Sequence, residues 1–243
     1  MKLSIVIPVH NEEKTLEELI NRVVAVRLPG VKKEIVIVDD KSTDDSRAIL
    51  KKMKKVHPEF KICFRSRQGG KGAAVRTGFQ KATGDYIIIQ DADLEYDPQD
   101  ISCLLKPIQE GKTEVVYGSR FTGEHRNMFF WHMLGNKFLS LVTNLVYNTT
   151  LSDMEVCYKL FPRQLLKQFT LHEDGWGWDP EITVKILKSG QRIYEVPISY
   201  TGREFAEGKK ISWKDAFRIL WVLLKYRFFD QHGRADRVLA RGT

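Results

Sequence analysis

Tyr86-Ile87-Ile88-Ile89-Gln90-Asp91-Ala92-Asp93-Leu94-Glu95 is a short run of apolar β-formers that gives out into three carboxylates at alternate positions. A continuous apolar run of this length, bounded by polar residues, predicts a strand buried on both faces, the kind that parallel sheets use. Alternate residues of an extended chain point the same way. Oxygens of Asp91, Asp93 and Glu95 are therefore expected to converge on one hard cation, Mg²⁺ or Mn²⁺, shared with the phosphates of a substrate. A solvated acidic turn is the plain alternative, because D-x-D alone is a common pattern.

Working outward, residues 3–9, 34–38 and 61–64 are further β-rich runs, separated by segments of helical length and period. Residues 12–26 place Leu16, Leu19, Ile20, Val23 and Val24 on one face, residues 44–56 open on acidic residues suited to a helix N-terminus, and residues 73–82 form a third helix candidate. The first half thus reads β-α-β-α-β-α-β, an α/β fold on a mostly parallel sheet. Ligands of such open sheets sit beyond the carboxyl ends of the strands. Those ends are Pro8-Val9-His10-Asn11, Asp39-Asp40 and Asp91-Ala92-Asp93. The second half is less regular: a strand at 115–118, a long apolar helix at about 128–147, a helix at 179–188 and a strand at 192–200. With no repeat and no low-complexity linker, the expected division is a catalytic domain over 1–210 and an amphipathic helix with a basic tail over 211–243.

The chain has 243 residues, 42% hydrophobic and 29% charged, long enough to bury a core without disulfides or a structural metal. Three scattered cysteines, Cys63, Cys103 and Cys157, show no C-x-x-C pairing and read as reduced thiols of a cytosolic protein. Thirty-nine Lys and Arg against 31 Asp and Glu give a net charge of +8, which calls for an anionic partner unless it serves only solubility. No zinc-finger spacing, RNP aromatic motif or basic heptad is present, and much of the excess charge lies from Arg203 onward; a phosphate or a membrane face is favoured over nucleic acid.

Two loops carry further chemistry. Asp39-Asp40-Lys41-Ser42-Thr43-Asp44 offers Asp39 as an acceptor for a base or ribose, while Asp44 suits a helix cap. Gln68-Gly69-Gly70-Lys71-Gly72-Ala73-Ala74 lacks the spacing of a Walker loop and of a dinucleotide fingerprint. Its small residues either let a helix N-terminus approach a ligand through its amides or make an ordinary tight helix entry.

The runs at 6–12, 35–44, 69–78 and 84–98, taken in this order, resemble the inverting family 2 glycosyltransferases of GT-A fold, in particular the dolichyl-phosphate mannose synthase branch. Tyr117-Gly118-Ser119-Arg120, Asp153-Met154-Glu155-Val156-Cys157-Tyr158-Lys159, Asp179-Pro180-Glu181-Ile182 and Glu195-Val196-Pro197-Ile198-Ser199-Tyr200 with Arg203 extend the likeness over nearly the whole chain. The resemblance implies a nucleotide-sugar donor held by Pro8, Asn11, Glu12, Asp39, Lys71 and Asp91, and Mg²⁺ or Mn²⁺ on Asp91, Asp93 and Glu95. It also implies that Arg203 and Lys209, with Lys210 nearby, close over the diphosphate, and that Arg120 meets the phosphate of a polyprenyl acceptor. The implied catalytic set is Asp93, Arg120, Arg203 and Lys209. A lipid phosphate is already an anionic nucleophile, so no general base is required. GDP-mannose is the donor the branch favours, with UDP-glucose the other choice. Transfer to a soluble or glycan acceptor is the second enzymatic reading and would need a base such as Asp153 or Asp179. A non-catalytic nucleotide-sugar or nucleic-acid binder is the reading from another class.

The apolar stretch at 131–147 is interrupted by His132, Asn136, Lys137 and Asn144, so no run of about 18 to 20 apolar residues exists and no transmembrane helix is expected. Met128, Phe129, Phe130, Trp131 and Met133, and a helix over 211–229 bearing Trp213, Phe217, Leu220, Trp221, Leu224 and Phe228, suit either a membrane surface or the domain's own core. The expected location is peripheral, on the cytoplasmic face of a membrane. Trp176 and Trp178 read equally as stacking or packing residues. His10, His125, His132 and His172 lack ligand spacing and read as surface or core residues.

Overall fold

The computed structural model describes residues 1–202 and 213–229. Seven strands form one sheet in the order β3-β2-β1-β4-β6-β5-β7. β1 (Lys2–Val9) lies between β2 (Lys32–Asp39) and β4 (Tyr86–Ile89), and β3 (Lys61–Phe64) closes that edge, all four parallel. β6 (Lys159–Pro162) runs antiparallel to both β4 and β5 (Val115–Ser119), and β7 (Ile193–Pro197) pairs parallel with β5. The register sets Val9 opposite Asp39 and Val6 opposite Ile89, so the carboxyl ends of β1, β2 and β4 open on one side of the sheet.

Helices α1 (Leu16–Ala25), α2 (Ser46–Val56) and α3 (Lys71–Lys81) make the crossovers between the parallel strands. α1 buries Leu16, Leu19, Ile20 and Val23, one stripe of a 3.6-residue period, and carries the Glu18–Arg22 pair on its wet side at 2.5 Å. Truncating one of these, Leu19→Ala, would cost about 2 to 5 kcal/mol. α4 (Ile101–Gln109) and β6 are elements the sequence reading did not separate.

α5 (Phe130–Tyr147), α6 (Trp178–Lys188) and α7 (Trp213–Phe228) enclose a second core of Leu139, Tyr147, Met154, Val184, Ile219, Val222, Leu223 and Tyr226. Polar contacts fasten it. Tyr147 donates to the Leu223 carbonyl at 2.6 Å, Lys188 to the Tyr226 carbonyl at 3.0 Å, and Tyr226 to Glu181 at 2.7 Å. α7 therefore packs on its own domain, but through Ile219, Val222, Leu223 and Tyr226. Of the face expected from the sequence, Phe217, Trp221, Leu224 and Phe228 point to solvent. α5 likewise exposes Leu134, Phe138, Leu141 and Leu145 in one stripe. Among the described residues no helix is long and apolar enough to cross a membrane.

Candidate functional site

A cavity of about 720 Å³ opens at the carboxyl ends of β1, β2 and β4 and continues between α5 and α7. Pro8, Glu12, Lys71, Asp91, Asp93, Glu95 and Arg120 all line it. Asn11 and Asp39 do not. Asn11, at φ 55°, accepts from the Thr43 amide at 2.8 Å and donates its own backbone N–H to the Ser42 hydroxyl oxygen at 3.0 Å. Asp39 is fully buried, accepts from the Ser42 amide at 3.3 Å and faces Arg47 at 3.2 Å. Asn11 stitches the β1–α1 loop to the β2–α2 loop, and Asp39 braces the β2–α2 connection itself. Its neighbour Asp40 reaches the cavity wall instead. Arg203, Lys209 and Lys210 lie outside the described residues.

The glycine loop is held by protein rather than left open. Gly69 and Gly70 donate their amides to Asp40 at 3.1 and 2.6 Å, and Arg65 pairs with the same carboxylate. The Ala73 amide goes to the Asp174 carbonyl at 3.0 Å. A Cβ on Gly72 would stand 2.3 Å from the Glu173 carbonyl oxygen, so its bareness serves the approach of the 173–174 backbone. Of the two readings of this loop, the tight helix entry describes these three amides, which are satisfied internally. Lys71 is what the loop offers the cavity, its Nζ 2.8 Å from Asp91. Burial works against the ammonium, yet Asp91 overrides it and holds the Lys71 pKa well above the ordinary lysine value.

The premise of an extended chain through the carboxylates is also corrected. After Ile89 the chain turns, and Leu94 takes φ 62°. Asp93 accepts from the Glu95 amide at 3.2 Å and Glu95 accepts from the Tyr200 hydroxyl at 2.9 Å, while Asp91 pairs with Lys71. Among the described residues no three His, Cys, Asp or Glu side chains are grouped to hold a metal ion. The three line one cavity without converging. The donor set still fits a hard divalent cation, because Mg²⁺ is held by one or two carboxylates together with substrate phosphate oxygens rather than by an all-protein cage. Asp91 and Asp93 are the residues that would hold it.

Opposite the carboxylates, Arg120 follows β5. Its Nε and Nη2 donate to Asp153 at 2.7 and 2.6 Å, its amide donates to the same side chain at 3.0 Å, and its guanidinium lies 5.3 Å from the Tyr200 ring centre. Burial opposes this charge, but Asp153 keeps the guanidinium protonated. Glu195 on β7 fixes the turn that presents Asp153, accepting from the Ser152 and Asp153 amides at 2.9 and 3.2 Å. Beneath, Lys159 is fully buried and pairs with Asp179 at 2.5 Å. Asp153 and Asp179, the candidates for a general base, are thus each bound to a cation. Glu155 also lines the cavity. Burial first, and the Asp179 charge second, push its pKa up to about 8.

The far end is apolar, lined by Met128, Phe129, Trp131 and Leu139 from the α5 side and by Ala216 and Ile219 from α7. Trp176 joins the cavity wall whereas Trp178, 1% exposed, is a packing residue. His10 and His132 line the cavity. Sequence reasoning gave no role to Tyr96, Arg126, Glu155 or Tyr200; Glu155 and Tyr200 stood inside recognised motifs, which was the signal available.

The family model for glycosyl transferase family 2 matches residues 4–170. A dolichol-phosphate mannosyltransferase of Pyrococcus furiosus is 29% identical, over 98% of this chain and 67% of its own length. An undecaprenyl-phosphate 4-deoxy-4-formamido-L-arabinose transferase of Klebsiella pneumoniae is 28% identical, over 86% of this chain and 62% of its own length. The chain thus spans roughly two thirds of the length of these curated relatives. Among solved structures, glucosyl-3-phosphoglycerate synthase from Mycobacterium tuberculosis with Mn²⁺, UDP and phosphoglyceric acid superposes with a TM-score of 0.69 at 17% identity, covering 93% of this chain and 78% of that one. The same enzyme with Mg²⁺ and UDP gives 0.69 at 18%, covering 93% and 79%. At such identity the likeness carries the fold.

Proposed function

From the premise that the chain belongs to glycosyl transferase family 2 and is a glycosyltransferase of GT-A fold, we propose that it moves a hexose from a nucleotide-sugar to a polyprenyl phosphate, with inversion. GDP-mannose is the preferred donor and UDP-glucose the second. The single observation that carries the acceptor is the course of the cavity: carboxylates and Lys71 at one end, Arg120 in the middle, and an apolar exit between two helices with exposed aromatic faces. A diphosphate, a phosphate and a hydrocarbon tail need those surroundings in that order.

In this reaction an oxygen of the acceptor phosphate forms the new bond to the anomeric carbon as the bond to the donor diphosphate breaks, and the nucleoside diphosphate leaves. Charge moves onto the leaving group, so fixed positive charge there lowers the barrier. A divalent Mg²⁺ or Mn²⁺ on Asp91 and Asp93, with Glu95 beside them, would supply part of that charge. Arg203 and Lys209 are assigned to the same task. Arg120, held in one orientation by Asp153, aims the acceptor phosphate. Its nucleophile is already ionised, which agrees with Asp153 and Asp179 being committed to Arg120 and Lys159 rather than poised to take a proton. That pairing weighs against a sugar or glycan acceptor.

The relatives named for lipid-phosphate acceptors and the outward aromatics of α5 and α7 support a peripheral position on the cytoplasmic face of a membrane. The test is a transfer assay with radiolabelled GDP-mannose and UDP-glucose, Mg²⁺ and polyprenyl phosphate, followed by extraction into organic solvent. Label entering the organic phase only when the lipid phosphate is present is the expected result. Label passing instead to free sugars or glycans overturns the acceptor.

A further inference from the structure

Charge pairing around the cavity floor leaves one group over. Arg120 is matched by Asp153, Lys159 by Asp179 and Lys71 by Asp91, at 2.6, 2.5 and 2.8 Å. Glu155 lines the same cavity, yet among the described residues it has no cation at pairing distance, and its Oε1 is buried with no hydrogen-bond partner. Native chains seldom keep such an atom without a use for it, because the water it lost has not been replaced.

Its surroundings say what replaces that water. The Glu155 carboxyl is within electrostatic reach of Asp179, Lys159, Arg120 and Asp153, and Asp179 is in turn within reach of Lys71 and Asp91. Glu155 therefore shares one cavity with the Lys71–Asp91 end that takes the donor diphosphate and with the guanidinium that takes the acceptor phosphate. During transfer the hexose ring passes from the first of these to the second, within that cavity.

We propose that Glu155 is a specificity-determining residue that hydrogen-bonds hydroxyl groups of the transferred sugar, selecting a hydroxyl-bearing hexose. The inference rests on the sugar-transfer reading of the cavity. A sugar hydroxyl donates to Oε1 and so meets the orphaned atom. The raised pKa lets the protonated carboxyl donate to a second hydroxyl near neutral pH. A site built to bond a hydroxyl rejects the deoxy analogue strongly.

Two variants test this, Glu155→Gln and Glu155→Leu, each titrated calorimetrically with GDP, GDP-mannose, UDP and UDP-glucose in Mg²⁺ and melted alongside the wild type. Glu155→Leu is expected to bind the nucleoside diphosphate like the wild type and the matching nucleotide-sugar about tenfold or more weakly, with Glu155→Gln in between. Its Tm should hold or rise, because an unmet buried atom has been removed. With single-deoxy donors, one analogue should bind the wild type and Glu155→Leu equally. Unchanged nucleotide-sugar affinity in Glu155→Leu overturns the proposal, as does a lowered Tm in both variants, which would make Glu155 structural. A wild type that binds none of the four probes overturns the sugar-transfer reading itself, and that failure shows before any variant is made.

Discussion

At the carboxyl ends of β1, β2 and β4 the cavity wall is made of loops that the sheet and its partner side chains hold in place, whereas between α5 and α7 it is made of two helices whose outer faces carry Phe138, Leu145 and Trp221 into solvent. In the first region charges are answered at close range: Lys71 by Asp91, Arg120 by Asp153, Arg65 by Asp40. In the second, the wall is mostly apolar, with His132 and Asn136 of α5 its polar members. The difference matches what each end is asked to do. Charge developing on a leaving diphosphate is stabilised only by groups already in place, while a repetitive hydrocarbon tail needs area and no fixed orientation.

That contrast breaks first at Asp93. Asp93→Ala should lower turnover by about a hundredfold or more in saturating Mg²⁺, as loss of a group that organises charge stabilisation does, and leave binding to lipid vesicles unchanged. Near-wild-type transfer would remove the carboxylates from the mechanism. Arg120→Lys is next. It keeps the charge but not the two-pronged bond to Asp153, so the phosphate loses its aim; kcat/KM for the acceptor should fall by about ten- to a hundredfold with donor affinity unchanged. Initial rates against each substrate separate the two effects. Equal losses for donor and acceptor would mean that Arg120 serves the site as a whole.

How far these regions were legible in the sequence follows from where their determinants lie. Ile35, Val36, Ile37 and Val38 are an unbroken apolar run because helices cover both faces of the sheet, and such a run is visible in any window. β6 is not visible in this way. It opens on Lys159, which is buried only because Asp179, twenty positions on, meets its ammonium. α4 carries Pro107 inside it, which reads as a break. At the site, the carboxylate triplet was found as a motif but its geometry was not, since the turn at Leu94 is a property of backbone angles. Asp39 and Asp40 show the same limit: adjacent, identical in type and both buried, only Asp40 lines the cavity. Glu155 is distinguished by a missing partner, and a missing partner exists only in three dimensions.

The apolar region is tested where it touches no chemistry. Phe138 and Trp221 are about half exposed, at 51% and 58%, and neither lines the cavity. The double variant Phe138→Ser, Trp221→Ser should weaken co-sedimentation with anionic vesicles by roughly tenfold, since each aromatic would bury only part of the 1.5–3 kcal/mol that full transfer of such a side chain is worth. Transfer to a short, water-soluble prenyl phosphate should not change. If vesicle binding survives while this soluble reaction is lost, the outward aromatics belong to the cavity and the division into two regions fails.

The smallest effect lies at the seam. Glu173 accepts from Arg218 and Lys225 of α7 at 3.2 and 3.0 Å, and its own carbonyl takes Arg76 of α3, so one residue joins the loop that carries Gly175 and Trp176 into the cavity to the helix behind the apolar end. Partial burial would raise its pKa, but the two cations outweigh it and hold the carboxyl below the ordinary value. A carboxylate lowered on folding adds stability that is fully present above its unfolded pKa, about 4.3, and is lost as pH falls through the lower folded value. Arg218 and Lys225 are both substantially exposed, so the contribution is set at about 1 kcal/mol. Glu173→Gln should therefore lower Tm by a few degrees at pH 7, and the gap to wild type should close on acidification below pH 4.3 and shrink in high salt at neutral pH. A gap that persists unchanged in strong acid would mean that the Glu173 charge does not hold α7 and that the two regions are not joined through this ion pair.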